Sequence, residues 1–199
     1  MKTQANLAGK QRAIEALVIG ASAGGIDALL RILPGLPAGF GFPVAVVLHL
    51  PEDRHSRLAE VMQEHLSMPV LQAQDKGSLR PGTIYFAPPG YHLSIENDHS
   101  FSLSQEDPVH FSRPAIDMLM TSAADAYGAR LCGIVLTGAS ADGAAGLARI
   151  GEAGGLTVVQ DPAEAEIVTM PAAAIKLRAP DLVLPLREIR SLLANLETT

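Results

Sequence analysis

Three polar side chains stand just beyond apolar runs: Ser22 after EALVIG (15 to 20), His49 within VAVVLHLP, and Asp142 within LTGASADGAAGL (136 to 147). A serine hydroxyl is a poor nucleophile until a base removes its proton, and a histidine does this best when an acid orients it. A serine, a histidine and an aspartate at three such positions are the parts of a site for acyl transfer. Gly20-Ala21-Ser22-Ala23-Gly24 fits the pattern G-x-S-x-G, in which small neighbours let a sharp strand-to-helix turn expose the hydroxyl. The helix expected over IDALLRIL would add free N–H groups and a positive dipole end, with the Ala23 N–H placed to help hold a tetrahedral oxyanion. Plainer roles compete. Ser22 could simply cap that helix, and Asp142 could cap a helix beginning at Gly143.

The same loop, IGASAGG, also approaches the dinucleotide fingerprint G-x-G-x-x-G. It supplies Gly20 and Gly25 but has Ser22 where the second glycine lets a pyrophosphate approach the backbone. The next strand ends in His49 rather than in the acid that would bind ribose hydroxyls, although Glu52 and Asp53 lie just beyond. A nucleotide-binding module is weakened by this, not eliminated.

These residues need a scaffold that brings strand ends together. EALVIG, VAVVLHL (44 to 50) and LCGIVLT (131 to 137) read as strands buried on both faces, with LTVVQ (156 to 160) and DLVLPL (181 to 186) as later members. Between them, DRHSRLAEVMQEHL (53 to 66) places Leu58, Val61, Met62 and Leu66 at helical spacing. RPAIDMLMTSAADAYG (113 to 128) predicts a helix starting after Ser112, with Pro114 in its first turn and Gly128 at its end, and REIRSLLANLE predicts a last one. The stretch 83 to 105 alternates in period two around the turn-like Glu96-Asn97-Asp98-His99, which predicts an antiparallel hairpin on the sheet edge. The fold class is α/β: a mostly parallel, doubly wound, Rossmann-like sheet flanked by helices, with that hairpin near the middle of the chain.

The 199 residues, 48% hydrophobic, suffice for one sizeable core, so residues 1–13 read as a polar lead-in and 14–199 as one domain. A formal charge of -6 gives no broad basic field for nucleic acid or anionic lipid. No signal peptide or membrane-spanning run is present in the sequence, so a cytoplasmic location is expected. Cys132 reads as a buried apolar residue. His55, His65, His92, His99 and His110 lack metal-ligand spacing, and neither a metal nor a cofactor is expected. Of these, His92 could line a cleft or merely decorate a strand, and His55, His65 and His99 read as surface residues. Arg113 reads as an exposed residue at a helix start that could touch acidic partner helices, and Met118 and Met120 as packing residues.

Together, IGASAGG, VVLHLP, RPAIDMLMTSAA, GIVLTGASADGAAGL and TMPAAAI resemble the catalytic domain of CheB-type chemotaxis protein-glutamate methylesterases, from about residue 14 to the end. The resemblance implies a serine hydrolase that removes methyl groups from glutamate methyl esters on the cytoplasmic helices of methyl-accepting chemotaxis receptors, releasing methanol. Some members of the family also deamidate receptor glutamines. By position, Ser22 matches the family nucleophile, His49 its base and Asp142 its orienting acid, and a second oxyanion N–H falls on Ala139 beside that of Ala23. Ala23 stands where the family often has threonine or serine, and Ala139 where it often has methionine. Typical members also carry an N-terminal receiver domain whose phosphorylation uncovers the site. The expectation here is the catalytic domain without a receiver, standing alone or as a fragment of a longer protein, with a separate receiver or kinase protein as a second partner. Against this hydrolase stand the nucleotide-binding module and a catalytically idle domain that docks receptors.

Overall fold

Apolar runs become strands because their side chains are covered on both sides. In the computed structural model, which describes residues 13–37, 39–49 and 57–196, β1 (Ala16–Ala21), β2 (Val44–Leu48), β7 (Leu131–Val135) and β8 (Leu156–Gln160) are buried at every position. With β3 (Val70–Gln72), β4 (Ile84–Phe86) and β9 (Leu182–Leu184) they form a seven-stranded sheet in the order β3-β4-β2-β1-β7-β8-β9, and every neighbouring pair is parallel. The chain runs outward from β1 to one edge, then returns to place β7 on the other side of β1. That reversal is the switch point at which open α/β sheets gather ligands.

Alternation along β1 distributes its side chains between two cores. Leu17, Ile19 and Ala21 face one apolar layer with residues of α1 (Gly25–Ile32), α2 (Leu58–Gln63) and α6 (Leu186–Ala194). Ala16 and Val18 face the other, which holds residues of α3 (Ile116–Tyr127), α4 (Ala144–Glu152) and α5 (Thr169–Leu177). Helices on both faces make the sheet doubly wound, as the alternation of runs and helical patterns predicts.

Four local expectations change. The hairpin forms from β5 (His92–Ile95) and β6 (Phe101–Ser104), but it is a separate two-stranded sheet and not an extension of the main sheet's edge. Leu93, Ile95 and Phe101 bury against the α3 layer, and the Ile95 N–H donates to Ser122 Oγ of α3 at 3.1 Å. The start of the same alternating stretch departs to become β4, the parallel neighbour of β2. Helix α3 begins at Ile116, so Pro114, which follows a cis peptide bond, precedes the helix instead of sitting in its first turn. In α2, Leu58, Met62 and the following Leu66 fill the buried row, leaving Val61 45% exposed. Residues 1–12 and 50–56, which include most of the polar lead-in and the start of the 53–66 pattern, lie outside the described residues.

Candidate active site

Strand register places the first two candidates side by side. Ala21 of β1 pairs with Leu48 of β2, so Ser22 and His49 are the next positions along adjacent strands, joined by the His49 N–H donating to Ala21 O at 3.1 Å. On the other flank the Ser22 N–H donates to Thr137 O at 3.0 Å, which ties the loop to the end of β7. Gly24 is the N-cap residue of α1, at φ 76°, a left-handed conformation that suits glycine, and no side chain caps the helix. Ser22 is therefore not the cap of α1. Its hydroxyl is half-buried and has no hydrogen-bond partner among the described residues. Ala23 and Ala139 are both exposed, and the N–H of neither donates to another described residue. Both donors are thus available to an incoming oxygen.

Asp142 is buried completely and accepts three hydrogen bonds: His49 Nε2 at 2.8 Å, the Ile116 N–H at 2.7 Å and the Asp117 N–H at 2.9 Å. Ile116 and Asp117 open α3, so this carboxylate caps α3 from a distant segment and does not cap α4, whose N-cap Gly143 has no side-chain bond. Burial alone would push the Asp142 carboxyl up. The bonds from His49, Asp117 and Ile116 outweigh it and hold the group below its ordinary value. An ionised carboxylate only accepts, so His49 Nε2 carries the proton facing it and Nδ1 presents the lone pair. Ser112 Oγ lies 3.4 Å from that Nδ1. No hydrogen bond joins the Ser22 hydroxyl to the His49 ring; the two share strand ends, and the structure pairs His49 with Asp142 and Ser112.

Sequence reasoning missed the residues that hold this arrangement. Asp117, in the first turn of α3, accepts the Gly146 N–H of α4 at 2.7 Å, so α3 and α4 cap each other through Asp142 and Asp117. Burial raises the Asp117 carboxyl, the Gly146 bond opposes this, and the nearby Asp142 charge raises it again. An acid raised in the folded state costs stability once it ionises, so Asp117→Asn should lift the thermal midpoint slightly at pH 7. The difference should vanish as pH falls through the raised carboxyl value. A lower midpoint at pH 7 would mean that the charged bond to Gly146 matters more than burial. Thr137 donates from Oγ1 to Ala23 O at 2.9 Å and accepts the Ile167 N–H at 2.9 Å, and its own N–H is taken by Gln160 Oε1 at 2.8 Å. A threonine and a glutamine ending strands carry no sequence signal for such work.

Gly138 shows how closely the two loops approach. A Cβ there would lie 2.8 Å from Ser22 Cβ and 2.5 Å from Met170 Cε. Gly138→Ala makes both contacts too short, so Met170 and the Ser22 turn, or the Gly138 backbone between them, must shift. Because a misplacement of about 1 Å can cost ~10²-fold, labelling of Ser22 by a fluorophosphonate should slow by about that factor. An unchanged labelling rate would show that Met170 and the Gly138 backbone yield and Ser22 keeps its place.

His92 is buried. It accepts the Ala115 N–H on Nδ1 at 3.1 Å and donates from Nε2 to Asp107 O at 3.1 Å, so it anchors the segment before α3 and is neither a cleft wall nor a decoration. Arg113 is half-buried and folds back to donate to the carbonyls of Gln105 and Glu106, at 3.3 and 3.1 Å, rather than standing exposed at the helix start. His65 and His110 are exposed, His99 stacks on Tyr127, and His55 lies outside the described residues. Among the described residues no group of His, Cys, Asp or Glu could hold a metal ion, and no helix is long and apolar enough to cross a membrane.

A doubly wound parallel sheet with a serine, a histidine and a buried aspartate gathered at its switch point is the make-up of an α/β serine esterase. Residues 17–193 match the CheB methylesterase family. A Leptospira interrogans protein, whose name proposes a protein-glutamate methylesterase/protein-glutamine glutaminase, is 45% identical over 183 residues, covering 92% of this chain and 95% of its own. Protein-glutamate methylesterase/protein-glutamine glutaminase 2 of Anaeromyxobacter dehalogenans is 42% identical over 92% of this chain and 53% of its own length. The crystal structure of the Thermotoga maritima CheB methylesterase catalytic domain matches with a TM-score of 0.88 at 31% identity, covering 92% of this chain and 99% of that one. This chain belongs to the CheB methylesterase family, which favours the hydrolase over both the nucleotide-binding module and the idle docking domain.

Proposed function

We propose that this protein is a protein-glutamate methylesterase that hydrolyses glutamate methyl esters on the cytoplasmic domain of a methyl-accepting chemotaxis receptor. Ser22 Oγ attacks the ester carbonyl and gives its proton to His49 Nδ1. The ring then carries a positive charge, which the Asp142 carboxylate, 2.8 Å from Nε2, stabilises. The carbonyl oxygen becomes an oxyanion held by the N–H groups of Ala23 and Ala139, with the positive end of α1 beside it. His49 returns the proton to the departing methoxide, methanol leaves, and a glutamyl ester on Ser22 remains. A water, deprotonated by His49, cleaves that ester, restoring Ser22 and freeing the glutamate carboxylate. A glutamine amide follows the same route with ammonia as leaving group, which the paired names of the relatives support.

The observation that carries this reading is the buried Asp142–His49 pair beside Ser22, on the fold of a methylesterase catalytic domain. The site acts in the cytoplasm, where its receptor domain lies. The test is methanol release from membranes bearing methyl-esterified chemoreceptors. Release above the blank, together with fluorophosphonate label on Ser22, supports the reading; label on Ser22 without methanol would retain an esterase and remove this substrate.

A further inference from the structure

The segment that brings Ser112 up to His49 also carries a side chain with no role in the fold. Val109 and Ser112 exchange backbone hydrogen bonds of 3.2 and 2.9 Å, making His110 and Phe111 the two central residues of a tight turn. Both have positive φ, 48° and 61°, in a turn geometry that normally takes asparagine, aspartate or glycine. A bulky residue held there is strained, and such strain persists where surrounding structure fixes it and function uses it. The bracing is visible. His92 holds Asp107, Arg113 holds Gln105 and Glu106, and His110 Nε2 lies 3.6 Å from Asp117 Oδ2. At the tip, Phe111 is 103% exposed and buries nothing within the chain.

The next residue, Ser112, has its hydroxyl 3.4 Å from His49 Nδ1, so Phe111 is one residue along the chain from a group that reaches the base nitrogen. We propose that Phe111 determines specificity for the protein substrate by docking against an apolar side chain that flanks the ester-bearing glutamate on the receptor helix. This rests on the substrate reading given above. A protein that presents a glutamate side chain to Ser22 and His49 brings its surface towards the turn that ends at Ser112. With a formal charge of -6, the chain gains no long-range attraction towards a glutamate-bearing surface, which leaves short-range contacts such as that of Phe111 to supply affinity. A rigidly presented aromatic ring is the kind of group that dominates such contacts.

Phe111→Asn tests this without breaking the turn, because asparagine accepts positive φ. On a chemoreceptor cytoplasmic fragment methyl-esterified on its glutamates, the variant should raise KM at least about tenfold with kcat nearly unchanged. Its rate of fluorophosphonate labelling at Ser22 should equal that of the wild type, and Phe111→Tyr, which keeps the ring, should restore KM. An unchanged KM in Phe111→Asn would overturn the inference. So would a labelling rate that falls together with receptor turnover, since the turn would then serve only to position Ser112 and His49. Wild-type protein that releases no methanol from the fragment would overturn the substrate reading and, with it, this inference.

Discussion

Ser22→Ala should lower methanol release by roughly 10⁴-fold or more and leave the fold untouched. The two halves of this expectation have separate physical sources. The hydroxyl is the atom that must form the covalent bond, and the remaining site can only orient substrate and polarise its carbonyl. At the same time the hydroxyl has no hydrogen-bond partner among the described residues, and the Gly25 N–H to Ser22 O bond of 2.7 Å that closes the turn is made by backbone. Deleting one oxygen therefore leaves no buried donor or acceptor unpaired. Equal thermal midpoints with turnover reduced to background is the expected pair of measurements. Substantial residual turnover would place the nucleophile elsewhere, with Ser112, 3.4 Å from His49 Nδ1, the next hydroxyl to examine.

Asp142→Asn should lose both activity and stability. Its carboxylate serves His49 and the first two N–H groups of α3 at once, and an amide has a single acceptor oxygen to divide among them. Where the amide N–H₂ faces His49 Nε2, that nitrogen must accept, the ring proton moves to Nδ1, and the lone pair needed by Ser22 is gone. In serine proteases the equivalent exchange costs about 10⁴-fold in turnover. One helix N–H left unpaired in a buried setting costs ~1–2 kcal/mol as well. Acidity gives an independent check. The folded carboxyl of Asp142 lies below its ordinary value of 3.8, so its ionised form stabilises the fold at neutral pH. That contribution is lost as pH falls below about 4 through the depressed folded value, and the stability gap between wild type and variant should close over the same range. Near-wild-type turnover in Asp142→Asn would remove it from the catalytic set.

What could be read from the sequence followed from how locally each feature is encoded. LTVVQ (156–160) coincides with β8, because a strand covered on both faces is mostly apolar, with Leu156, Val158 and Val159 here, and a run this short between turn residues is too brief for a helix. The three-residue β3 and β4 were not legible. Tyr85 and Phe86 sit in the same period-two alternation as the hairpin, and nothing local says that their partner is β2. Ser22, His49 and Asp142 could be picked out because each follows a buried strand on the same edge of the sheet. Ser112 illustrates the opposite case. A serine two residues before a proline reads as the start of a helix, yet α3 takes its cap from Asp142, 26 residues beyond Ile116, and the Ser112 hydroxyl turns to His49. Local chemistry proposed a cap that tertiary structure supplied from elsewhere, and the helix started later in consequence. The exchange of caps between α3 and α4 is invisible for the same reason, since neither Asp117 nor Asp142 stands immediately before the helix whose N–H groups it takes.

That exchange joins readiness for chemistry to a quantity that can be followed amide by amide. The hydrogens on the Ile116 and Asp117 nitrogens point at the carboxylate that also holds His49, so neither can reach solvent deuterium while Asp142 is in place. Fraying of the first turn of α3 releases those hydrogens and frees the carboxylate from its backbone donors in the same event. Deuterium uptake at these two amides therefore reports how often the start of α3 lets go of the carboxylate that orients His49, readable in the resting protein without substrate. Any partner that tightens or loosens the start of α3 would alter that uptake before a single ester is cleaved.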